Sequence, residues 1–166
     1  MAFRMRQEVE DWFKHISKEE PLETKFDLYY LCLMMGLATS RFDPLQGGAE
    51  FVDNFVVDYK PVQRLIIGLL LIAEMSRLDI DLIDRDKTQD LINTYLDPTQ
   101  PSHLRDMGFG RLNEYANGGF NEIMENLGDK PHHVESFLQW YTQTLSKKAT
   151  MNKLWAELAL RTRTAL

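Results

Sequence analysis

Five aspartates crowd one short stretch of the chain: Asp79, Asp81, Asp84, Asp86 and Asp90. Carboxylates at alternate positions are the raw material of a calcium loop, which also needs a glycine at its sharp turn and a closing bidentate glutamate. Counted from Asp79, the fifth position is Ile83, the glycine position is Asp84 and the closing position is Asp90. The pattern fails, and the stretch reads as a solvated turn that caps the next helix and complements its dipole. The pair His132-His133 is the second set of possible ligands. Adjacent side chains on a helix point about 100° apart, so two such imidazoles do not converge on one ion. Zinc would need two further ligands brought by folding, such as His103 and an acid. After Pro131 the pair reads instead as the exposed first turn of a helix.

Nucleophilic chemistry finds no better support. Cys32 stands among Leu31, Leu33 and Met34 with no base nearby, which describes a buried, inert thiol. As the single cysteine it excludes a disulfide within the chain. No serine sits in a Gly-x-Ser-x-Gly elbow. Gly47-Gly48 and Gly118-Gly119 lack the lysine and hydroxyl residue of a phosphate loop and the spacing of a dinucleotide loop. Gly118, following Asn117, reads as a left-handed helix C-cap. Trp12, Trp140, Trp155 and the tyrosines read as core, because base-stacking platforms come with a basic groove. The sequence therefore assigns no catalytic residue, no metal ligand and no cofactor.

Charge adds one asymmetry. The 166 residues carry a net charge of −6. Residues 1–146 hold 14 lysines and arginines against 24 acids; residues 147–166 hold Lys147, Lys148, Lys153, Arg161 and Arg163 against Glu157 alone. An acidic body argues against broad nucleic-acid binding, which needs clustered cations. The five C-terminal cations are the one place where phosphates could be contacted. The same stretch carries an apolar stripe of Met151, Leu154, Trp155 and Leu158, suited to a partner's groove with Trp155 as anchor. Two regions follow: an acidic helical core domain, 1–146, and a basic amphipathic C-terminal helix, 147–166, packed on the core or on a partner.

The elements that must position these residues are helical. Two segments are apolar nearly all round, Phe26 to Ala38 and Leu65 to Ala73, and a helix apolar on every face must be covered on every face. Helices over 24–40, with Thr24 as N-cap, and over 60–78 are expected to pack together at the centre. Gly68 marks the expected close approach, because glycine inside a helix costs about 1 kcal/mol relative to alanine. Val9, Trp12, Phe13 and Ile16 give a first helix over 3–17. Residues 41–48 form a loop. Residues 49–59 fit either element and are read as helix. Asp84 or Asp86 caps a helix ending near Leu96. Ser102 or Asp106 opens short helices punctuated by glycines, with an echo between Phe109-Gly110-Arg111-Leu112 and Phe120-Asn121-Glu122-Ile123. Pro131 starts a long helix. The expected fold is a compact all-α bundle of seven to eight helices.

The apolar run at Leu65 is half the roughly 18 residues needed to span a bilayer, and Glu8, Glu10 and Asp11 stand where a signal peptide would be apolar. The chain reads as a cytoplasmic protein. Without catalytic motifs, its expected function is that of a non-catalytic interaction or scaffold subunit, self-associating or bound to another protein in a larger intracellular assembly. Accessory subunits of bacterial DNA-processing or phage-defence complexes are proteins of this type. Two other classes stay open: a helical DNA-associated regulator touching phosphates through the basic C-terminal helix, and an enzyme with a motif-free site.

Overall fold

The computed structural model describes residues 1–151, with side chains through residue 148. Its elements run β1 (Phe3–Met5), α1 (Gln7–Trp12), α2 (Lys25–Thr39), β2 (Ala49–Val52), a 3-10 turn (Val57–Val62), α3 (Gln63–Arg77), α4 (Arg85–Tyr95), α5 (Asp106–Leu127) and α6 (Val134–Met151). The described residues are mostly helical, 61% against 7% strand. Among the described residues there are six α-helices rather than seven or eight.

Helix α2 is the axis of the molecule. It starts at a capping box: the Thr24 hydroxyl accepts from the Asp27 backbone N–H at 3.2 Å, and the Asp27 carboxylate accepts from the Thr24 N–H at 2.7 Å. It ends at Ser40 in the left-handed conformation. Between these caps, apolar residues face every direction and most are buried. The expected partner of α2 was α3, the other apolar helix. Instead α2 lies chiefly against α5, with α6, α1 and α3 around its remaining sides.

Three glycines make that pairing possible. A Cβ at Gly119 would fall on the carbonyl of Cys32, one at Gly36 on the carbonyl of Tyr115, and one at Gly118 on Arg41. Backbones approach this closely only where no side chain intervenes. Gly118 is therefore a mid-helix contact rather than a C-cap, and α5 is one continuous helix of 22 residues rather than several short ones. The eleven-residue echo of Phe109 and Phe120 is three helical turns on one buried face. Gly68 has no atom within 4 Å of where its Cβ would be. The expectation of a helix contact there is overturned.

Two further corrections lie at the N-terminal side. Residues 3–5 are strand rather than helix, and α1 is only six residues long. Residues 49–52 are the antiparallel partner strand, with Phe3 opposite Val52 and Met5 opposite Ala49. Alternation favours this outcome: Phe3 and Met5 are buried in the core and Arg4, on the other face of the strand, is half-buried. Fully buried Phe3 meets Phe26, Tyr29, Phe55 and Phe109 edge-on, with ring centroids 5.0–5.3 Å apart. Edge-to-face contacts of this kind stabilise beyond the area they bury. Pro61 lies within the 3-10 turn that precedes α3. At the other end of the core, the Tyr141 hydroxyl donates to the Leu31 carbonyl at 2.7 Å and fastens α6 to α2.

Candidate functional site

The densest polar constellation surrounds Glu74, on the inner face of α3. The side chain is fully buried, and a buried charge persists only when paired and hydrogen-bonded. Four side chains from three helices satisfy it. Arg77, one turn on, donates through Nε and Nη2, the shortest contact being 2.7 Å. The Tyr95 hydroxyl at the end of α4 donates at 2.7 Å, and the Tyr115 hydroxyl of α5 at 2.9 Å. Arg111 Nε, one turn before Tyr115, stands 3.3 Å away. Burial alone would raise the Glu74 pKa, but the hydrogen bonds from Arg77, Tyr95 and Tyr115 and the charge of Arg111 outweigh it and hold the carboxyl below its ordinary range. Burial, with the adjacent carboxylate, pushes the Tyr115 hydroxyl well up.

Phe42 closes this cluster. The guanidinium carbons of Arg77 and Arg111 lie 5.7 and 5.0 Å from its ring centroid, and Tyr115 meets it edge-on at 5.5 Å. Arg111 also pairs with Glu114 at 2.7 Å. Two guanidiniums thus meet two carboxylates. Both oxygens of Glu74 are occupied by donors, which leaves it no free lone pair as a general base. The arrangement is a clamp that locks α3, α4, α5 and the segment after α2 into one body.

The outer face of α3 is of opposite character. Leu65 lies nine residues from Glu74, about two and a half turns, and so on the far side of the helix. It is 55% exposed, and Val57 in the preceding turn is 81% exposed. Gly68 follows one turn later with open space around it, and half-buried Ile72 continues the same row. Lys60 and Arg64 are exposed beside this row, and neither makes an ion pair within the described residues.

A cleft of about 770 Å³ opens where Met1, the residues after β2 and the head of α5 meet the segment after α4, lined among others by Asp53, Asp97 and Asp106. Two of these carboxylates are engaged locally. Asp106 faces the N-terminal ammonium at 3.9 Å. Asp97 accepts from the Thr99 hydroxyl and backbone N–H at 2.6 and 3.0 Å, bonds that hold its pKa down.

The residues singled out from sequence are dispersed. Asp84 caps α4 by accepting from the Lys87 N–H at 3.1 Å. His132 and His133 are exposed just before α6, and the ring near His132 is that of His15, stacked at 4.5 Å. No group of three metal-ligating side chains occurs among the described residues. Cys32 is buried between α2 and α5, and burial pushes its thiol far up. Lys148 pairs with Glu122 at 3.3 Å, and Lys147 is exposed. Met151 ends α6, and Lys153, Leu154, Trp155, Leu158, Arg161 and Arg163 lie outside the described residues. Position 147, the expected start of the basic helix, falls inside α6.

The Glu74 clamp escaped sequence reading. Its signal was a lone acid ending an apolar run, with an arginine three residues on, which reads equally as the polar flank of a buried segment. No helix of the described residues is long and apolar enough to cross a membrane. Comparison with known protein families, with curated proteins and with solved structures finds no match.

Proposed function

We propose that the chain is a non-catalytic interaction subunit whose docking face is the outer side of α3. One observation carries this reading. The clamp immobilises the inner side of α3, while on its outer side exposed Leu65 and half-buried Gly68 and Ile72, with exposed Val57 in the preceding turn, leave an apolar strip toward solvent. Isolated exposed apolar residues are ordinary; an apolar strip along a rigid helix is what a partner's helix or groove fits. The proposed occupant is a different protein, presenting an apolar patch with an acidic rim. Lys60 and Arg64 supply the complementary positive flank. A second copy is less suited, because each carries a net charge of −6. The basic C-terminal stretch would then be a second contact rather than the first.

The test is recovery of the tagged chain from its native cells, with mass measurement of the intact species. The expected result is one stoichiometric partner, lost with Leu65→Glu while the melting temperature of the variant stays within a few degrees. A species containing this chain alone, or a partner retained by Leu65→Glu, would contradict the reading.

A further inference from the structure

Three side-chain polar atoms sealed from bulk solvent, and without a hydrogen-bond partner in the protein, belong to residues around one small cavity. They are Nε of Arg4, Nε of Arg6 and Oδ1 of Asn117. The cavity measures about 10 Å³ and lies between β1, α2 and α5, with Cys32 and Tyr29 also in its wall.

Asn117 and Arg6 are fixed by their other side-chain contacts, and Arg4 by its backbone. Asn117 is 8% exposed. Its Nδ2 donates to the carbonyls of Asp43 and Pro44 at 3.2 and 3.1 Å. A flipped amide would set oxygen against two carbonyl oxygens, so the acceptor must be the atom left over. Arg6 donates through Nη2 to Asn121 Oδ1 at 3.0 Å, and its guanidinium carbon sits 4.8 Å from the centroid of the Phe120 ring. The Arg4 backbone N–H donates to Asn113 Oδ1 at 3.0 Å, and its Nε is 3.9 Å from Glu50, beyond hydrogen-bond reach.

These leftovers decide the ligand. An anion accepts from both guanidiniums but cannot donate to Oδ1. A cation donates nothing and cannot accept. The group required accepts twice and donates once, which describes an O–H. A cavity of roughly 10–15 Å³ holds one water. We propose that this is a built site for a single structural water bridging Arg4 Nε, Arg6 Nε and Asn117 Oδ1. Its second O–H faces the wall that contains the weakly accepting sulfur of Cys32. The bridge fastens β1 to α5 and, through Asn117, to the segment at Asp43 and Pro44.

Crystals of the full chain, soaked in sodium bromide and measured at high resolution, test the site. The expected density is one peak within about 2.7–3.2 Å of all three atoms, refining as oxygen and without bromide anomalous signal. A bromide signal would overturn the proposal in favour of an anion site. No peak, with either arginine turned to solvent, would also overturn it. In bromide-free solution, nuclear Overhauser cross-peaks from water to both Nε–H groups should carry the sign of a long-lived bound water, and Asn117→Leu should abolish them. Their persistence in that variant would show that Nε is reached from bulk solvent.

Discussion

Removing the Glu74 carboxylate would leave the guanidiniums of Arg77 and Arg111 facing one another with no charge between them. Breaking a buried pair from one side costs about 3–5 kcal/mol, far more than an exposed pair contributes. Glu74→Ala should therefore lose stability in that range in a urea melt, with the slope unchanged. Tyr115→Phe removes one bond to the carboxylate and should cost about 2 kcal/mol, as hydrogen bonds to charged groups do. The pH dependence has a definite sign. The folded-state pKa of Glu74 is depressed, so its contribution is complete above the ordinary carboxylate range and is lost as pH falls through the folded value. Glu74→Gln should flatten the acid limb of the stability profile. Glu122 is also depressed, its burial outweighed by the bonds from Arg41 and Lys148, and Glu125 is depressed by its bond to Arg41. They should leave a residual slope. An acid limb unchanged in Glu74→Gln would show that the clamp does not set it.

Among elements, α2 and α5 are joined by glycine, whereas α3 is held by charge. Gly119→Ala should destabilise by about 3 kcal/mol, at the upper end of overpacking effects, because its Cβ meets backbone rather than a movable side chain. Gly68→Ala should instead stabilise by about 0.5–1 kcal/mol through helix propensity, since the space is open. Paired melts of the two variants check both, and equal effects would mean that the α2–α5 approach is looser than the structure has it. The contrast shows what was legible beforehand. Local rules found the Thr24 and Asp84 caps and the apolar periodicity of α2 and α3, because capping and burial leave marks within a few residues. They could not tell a contact glycine from an open one. That distinction lies in a helix some 80 residues away, as for Gly36 against Tyr115. The strand pair escaped for the same reason, since three residues at Phe3 become strand only when Ala49–Val52 lie beside them.

For the whole molecule, the central claim is that a clamped helix offers its outer face to a foreign protein. The charged groups at its centre are met within the described body: Glu74 by Arg77, Tyr95, Tyr115 and Arg111, Arg41 by Asp43, Glu122 and Glu125, and Asp97 by its own turn. The candidate site was legible only as an apolar segment, because whether a face is covered is a property of the fold rather than of the segment. Covalent carbene footprinting of the isolated chain and of the native assembly tests the claim directly. Val57, Leu65 and the exposed Ile83 should all be labelled in the isolated chain. In the assembly, Val57 and Leu65 should be protected while Ile83 stays labelled. Equal labelling of Leu65 in both states would contradict the account.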